Sequence, residues 1–211
     1  MRQGYPIGNP DVERGRRDHM RGRHRAILAG FLAIGACTGG QPDSTTTVPT
    51  FALDAQVMAV IDSLADAAGG ATEAWPSVAS EAGFEIFHFG GPWYWPAGTN
   101  PFEDTNLYEW SGEAGEPPWP LATVAAQVGT SFVDTYQDPD VRFGVNEGVS
   151  GPEAAPSYIP TLLEPFPFVA VHDPGDDPLA GSLDWTTWYV FFDWTQDGWR
   201  AIGMSVDSYA P

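Results

Sequence analysis

The sequence predicts an α+β domain over residues 51–211, an N-terminal helix packed on a curved antiparallel sheet that ends in a long aromatic β-hairpin. Three observations carry that expectation. Apolar residues recur at three- and four-residue spacing just after residue 50. Five short runs rich in β-branched and aromatic residues are scattered behind them, and the last two are separated only by Gln196-Asp197-Gly198. Eighteen of the 20 prolines lie after residue 36, which points to short elements joined by many loops.

Taken in order, the first element is a helix over 51–68. Leu53, Val57, Val60, Ile61 and Leu64 make one apolar stripe, Thr50 is placed to cap it, Asp54 lies in the first turn, and Gly69-Gly70 ends it. A strand over 84–89 follows. A second helix is expected over 120–128, with Pro120 at its first position and Leu121, Val124, Ala125 and Val128 on one face. Residues 131–136 fit either a continuation of that helix or a strand. Further strands are expected over 141–145, 167–172, 184–194 and 199–206.

Two registers compete for the closing hairpin. A two-residue Asp-Gly turn would set Trp194 opposite Ala201. A three-residue loop with Gly198 in a left-handed bulge would set Phe192 opposite Ile202 and Val190 opposite Met204. The second gathers Trp188, Val190, Phe192, Ile202, Met204 and Val206 on one face, and register follows the buried face. It also sets Arg200 across from Trp194 as a cation–π pair.

Charge divides the chain sharply. Of its 28 acidic residues only Asp11, Glu13 and Asp18 precede Cys37, whereas seven of the nine arginines do; lysine is absent. Residues 37–211 therefore carry 25 acidic side chains against Arg142 and Arg200, a net charge of about −23. Nucleic acid and anionic headgroups need a basic footprint and are disfavoured as partners. A single cysteine, Cys37, permits no intramolecular disulfide, so packing alone must hold the domain. Without lysine there is no Schiff-base chemistry, and Gly-x-Ser-x-Gly occurs nowhere.

Ahead of the domain, residues 14–25 are crowded with basic side chains, residues 26–36 are uncharged and mostly apolar, and Gly35 and Ala36 precede Cys37. This describes a secretory signal peptide, too short to span a bilayer stably. Ile34-Gly35-Ala36-Cys37 also resembles the lipobox of bacterial lipoproteins. That resemblance implies cleavage before Cys37, a diacylglyceryl group on its thiol, and tethering to the extracytoplasmic face of a membrane. Residues 38–50 are polar and low in apolar content, as a flexible tether requires. The expected organisation is thus a leader and signal peptide over 1–36, an anchored cysteine and tether over 37–50, and one acidic domain over 51–211. Met20 opens a compact basic region of its own and competes with Met1 as the start. The first helix and residues 184–206 resemble the cone-shaped fold of the nuclear transport factor two superfamily, from which no catalytic residue can be carried over.

The segment 93–119 concentrates aromatic residues among glycines and prolines. Trp93, Tyr94, Trp95, Trp110 and Trp119 are candidate ligand-binding residues, a stacking platform for a small molecule, a glycan or a protein, with Glu103, Asp104, Glu109, Glu113 and Glu116 as polar contacts. The same rings would equally pin a long loop onto the core. Pro92 and Pro96 stiffen the Trp93-Tyr94-Trp95 tripeptide, and at least one of Trp93 and Trp95 is expected to keep a ring face open along a groove. His88 and His172 would make a metal or acid–base pair if their strands were neighbours. The acidic runs Asp173, Asp176, Asp177, Asp184 and Asp138, Asp140, Glu147 lack the alternation of an EF-hand loop, which leaves solvated loops or weak calcium sites. No catalytic residue, metal site or cofactor is assigned. The expected function is ligand binding or protein interaction without catalysis; the alternative is a carboxylate-based hydrolase of the cell envelope.

Overall fold

A computed structural model describes residues 48–88, 92–110, 120–146, 160–175 and 184–208. Cys37, most of the tether, Glu113, Glu116, Trp119, Glu147, Asp176 and Asp177 lie outside the described residues. The chain divides into two units between Thr47 and Val48, and all the described residues belong to the second. Among the described residues no helix is long and apolar enough to cross a membrane.

The class is α+β. Helix α1 (Ala55–Ala68) and the short helix α2 (Trp75–Val78) precede strands β1 (Phe84–Phe87) and β2 (Trp93–Trp95). A π-turn over Ala125–Gly129 leads into α3 (Thr130–Gln137), followed by β3 (Arg142–Val145), β4 (Phe168–Asp173), β5 (Thr186–Thr195) and β6 (Gly198–Ser208). The six strands form one open sheet in the order β2-β1-β6-β5-β4-β3, with β2 and β3 at its edges.

The sheet is mixed, which corrects the expectation of a purely antiparallel one: β1 runs parallel to β6, with Ile86 opposite Met204. Gly203 makes the join possible. A Cβ on Gly203 would stand 2.6 Å from the Glu85 carbonyl oxygen, so only glycine lets β1 approach there. Parallel neighbours need a long crossover, and here most of the domain intervenes between β1 and β6.

Helix α1 begins four residues later than expected. Asp54, not Thr50, is its N-cap, and its carboxylate accepts from the backbone N–H groups of Gln56 and Val57 at 2.9 and 3.0 Å. Leu53 drops out of the apolar stripe and is exposed, while Phe51 packs on Phe192 and Trp199 at the hairpin tip. Gly70, at a φ of +106°, closes the other end: Ala71 donates to Asp66 and Gly70 to Ala67 at 2.9 and 3.2 Å. Pro120 does not open the second helix. Ala122 pairs with Tyr108 in an isolated bridge, Leu121 is exposed, and the helical turns run on from Val124 through residues 131–136. Gly129 in the π-turn lies against α1, where a Cβ would come within 2.9 Å of the Ala68 carbonyl oxygen. The Tyr136 hydroxyl donates to Asp62 and ties α3 to α1; burial, then the Asp62 carboxylate, push its pKa up to about 12.

β5 and β6 pair antiparallel, with Gly198 at a φ of +105°. Val190 faces Met204 and Trp188 faces Val206, but the register shifts between Phe191 and Phe192. Phe192 therefore stands opposite Ala201, and Ile202 turns to the other side of the sheet. The shift corrects the expected Phe192–Ile202 pair. It places the small Ala201 next to Ala79, with which it bridges, and the Ser80 N–H donates to the Ala201 carbonyl at 3.0 Å. Arg200 stands opposite Asp193 instead of Trp194, and its guanidinium donates to the Trp199 carbonyl at 3.1 Å.

Both faces of the sheet are covered. Toward the helices, Val169, Val171, Trp188, Val190, Phe192, Met204 and Val206 meet Val57, Ile61, Leu64 and Phe132. On the other side, Phe87, Phe168, Tyr189, Phe191 and Ile202 cluster with Leu163 and the half-buried Phe166. Phe191 and Phe192 are equally inaccessible, each 0% exposed.

Candidate functional site

The aromatic segment is built around Asp104. Asn100 starts the preceding turn, its side-chain oxygen accepting from the Phe102 N–H at 3.0 Å. The chain then brings Asp104 under three partners. One carboxylate oxygen accepts from the Trp95 indole N–H at 3.0 Å and the Tyr108 hydroxyl at 2.6 Å. The other accepts from the Asn106 backbone and side-chain N–H groups at 2.9 and 2.7 Å. These donors, the Tyr108 hydroxyl foremost, hold the Asp104 carboxyl below its ordinary pKa. The reciprocal effect, with burial leading, pushes Tyr108 up to about 12. Asp104 is thus an ionised brace for the loop.

The rings turn inward around this brace. Trp95 is 5% exposed and Trp110 is 0% exposed, its indole N–H donating to the Ala122 carbonyl at 2.9 Å. Trp93 is half-buried, with its ring centroid 4.6 Å from Trp110 and 6.0 Å from Tyr108. Tyr94 is 42% exposed, but its hydroxyl donates back to the Ala82 carbonyl at 2.9 Å. Of the four described candidates, Trp93, Trp95 and Trp110 therefore come together with Tyr108 as a packed cluster, while Tyr94 stands outside it on the other side of the strand. They do not form an open stacking platform, because Trp95 and Trp110 have both ring and N–H committed to the protein. Of the described polar contacts, Glu103 and Glu109 are exposed, and Asp104 is half-buried with its carboxylate turned to the loop's own donors.

What the segment presents outward is different. Leu107 and Leu121 are 61% and 60% exposed. They flank the Tyr108–Ala122 bridge, whose two backbone hydrogen bonds of 2.9 and 3.2 Å fix both strands of the loop. Side chains alternate across extended chain, so both leucines project from the side opposite Tyr108 and Ala122. Leu107 stands alone without period and Leu121 reads as part of an apolar helical face, so sequence reasoning misses both as exposed residues. The Asp104-x-Asn106-x-Tyr108 spacing is a readable signal, since Asp commonly bonds the backbone two residues on.

His88 and His172 do not meet. Two strands, β6 and β5, separate β1 from β4. His88 packs toward the helices, its ring 5.1 Å from Trp110 and 6.3 Å from Trp188. His172 pairs with Thr187 across β4 and β5 on the opposite face, with Nδ1 2.7 Å from the Thr187 hydroxyl oxygen. Burial, then Arg142, lower the pKa of His172, so it is neutral at pH 7. The condition for a histidine pair, neighbouring strands, is not met, and the two rings also lie on opposite faces of the sheet. Among the described residues no group of three or more His, Cys, Asp or Glu is placed to hold a metal ion. Asp173 and Asp138 instead accept from the N–H groups of Gly175 and Asp140, at 2.8 and 2.7 Å, as local turn residues.

Comparison with family models, with curated proteins and with solved structures finds no match to this chain.

Proposed function

We propose that the chain is a bacterial envelope lipoprotein, anchored through lipid on Cys37 at the extracytoplasmic face of the membrane, whose acidic domain binds a ligand or protein partner without catalysis. The observation that carries the reading is the coincidence of a basic flank, a short apolar run and Ile34-Gly35-Ala36-Cys37. Two acyl chains hold a protein on a membrane far more firmly than one. The helix against the sheet and the closing aromatic strands support the cone-like fold of the nuclear transport factor two superfamily.

The aromatic segment supports the binding half of the reading. Asp104 and the Tyr108–Ala122 bridge stiffen the loop before any partner arrives, so little ordering entropy would oppose a contact through Leu107 and Leu121. Cys37→Ser should move the protein from the membrane to the soluble envelope fraction. Retention of the variant on membranes would refute the anchor. A photocrosslinker at Leu107 or Leu121 should give adducts that one at Gln196, on the hairpin tip, does not; equal labelling at all three would refute the contact surface.

A further inference from the structure

The C-terminal end of α1 and the π-turn before α3 enclose an open cleft of about 470 Å³. That lies within the range of small-molecule sites, about 300–1,000 Å³. Ala68, Phe102, Ala126 and Val133 give it an apolar wall. The small side chains are what open the space, and Gly129 brings the π-turn close enough to α1 to shape it.

The helical start at Thr123–Ala126 also lines the cleft, but the Thr123 hydroxyl and carbonyl oxygens accept from the Ala126 and Gln127 N–H groups at 3.2 and 3.1 Å, which leaves the α1 carbonyl end and Asp134 as its negative features. The carbonyl end of a 14-residue helix carries about half a negative charge, and α1 ends in this wall at Gly69 and Gly70. Asp134, exposed on α3, is the one charged side chain among the described residues lining the cleft. The Thr130 hydroxyl donates its proton to the Ala125 carbonyl at 3.3 Å, which leaves its oxygen as an acceptor. A ligand matched to this lining has an apolar body and a group that donates hydrogen bonds and carries positive charge. The charge of the domain, 24 acidic residues against two arginines, draws such a group in.

We infer that this cleft binds a small aliphatic primary ammonium ion, its chain against Ala68, Phe102, Ala126 and Val133 and its ammonium group on Asp134. Such a ligand class belongs to the proposed binding domain and rests on that reading, while the site lies apart from Leu107 and Leu121 and takes only Phe102 from the aromatic segment. The test is an NMR titration of the full chain, solubilised in detergent, with n-butylamine as the probe and n-butanol as its neutral counterpart. n-Butylamine should shift the methyl signals of Ala67, Ala68, Ala125 and Ala126 saturably, and n-butanol should bind at least about tenfold more weakly, the worth of one charge-assisted hydrogen bond. Asp134→Asn should weaken n-butylamine by a similar factor. Asp197→Asn, which removes the same charge at the exposed hairpin tip, should leave affinity within about twofold, as for a site that adds independently. Equal binding of n-butanol, equal loss in the two variants, or no saturable shift would each overturn the inference. Failure of the anchor reading is seen separately, in the fractionation of Cys37→Ser.

Discussion

Asp104→Ala should be one of the most damaging substitutions in the exposed half of the aromatic segment, although the residue is only half-buried. The carboxylate accepts four hydrogen bonds, from Trp95, Tyr108 and twice from Asn106. Tyr108 and Asn106 are partly or fully exposed and can turn to water. Trp95, at 5% exposure, cannot. Leaving one buried donor without an acceptor costs about 1–3 kcal/mol, and the lost charge-assisted bond from Tyr108 adds a smaller amount after solvent screening. The expected loss is about 2–3 kcal/mol in urea unfolding followed by tryptophan fluorescence. Asp104→Asn keeps an acceptor and should lose about 1 kcal/mol.

The pH dependence has a definite sign. The folded pKa of Asp104 lies below the ordinary value of 3.8, so its contribution is fully present above that value. It is lost as pH falls from about 3.8 through the folded pKa. The stability gap between wild type and Asp104→Asn should therefore close on acidification below about pH 4. An Asp104→Ala protein within about 0.5 kcal/mol of wild type, or a gap that does not change with pH, would refute the brace.

Two further outcomes follow from the packing. Phe191→Ala and Phe192→Ala should each cost about 3–5 kcal/mol in the same unfolding assay, because the two rings fill opposite faces that are both covered; a Phe191 variant near wild type would mean that the second face is open. Gly203→Ala should destabilise by about 1–3 kcal/mol in spite of alanine's better strand propensity, since its Cβ would meet the Glu85 carbonyl. A neutral or stabilising result in thermal unfolding would remove the explanation of the β1–β6 join.

Local patterns are more legible in the sequence than the contacts that assemble them. Val57, Val60, Ile61 and Leu64 define a helical face by spacing alone, and the unbroken aromatic and β-branched run over 188–192 and the alternation over 202–206 mark strands. The start of α1 is not legible, because Leu53 continues the apolar stripe in the sequence although it is exposed and the helix begins only after Asp54. The shift at Phe191 is equally hidden. It depends on Ala79 and Glu85, partners more than a hundred residues away, and no hairpin rule contains them. Pro92 and Pro96 make Trp93–Trp95 look like loop, yet the three residues pair with β1 as an edge strand, where flanking prolines are tolerated. The aromatic site is legible as a cluster but not as an inward-facing one. Counting rings shows that they will associate; whether they face inward depends on Asp104 and Ala122, which take up two of the indole N–H groups.

The lipid anchor is the central claim, and mass spectrometry of the N-terminal peptide from membrane-bound protein tests it most directly. The peptide should begin at Cys37 and carry a diacylglyceryl group on the thiol. A peptide that runs unbroken from residues upstream of Cys37 into the tether, with the thiol unmodified, would contradict it.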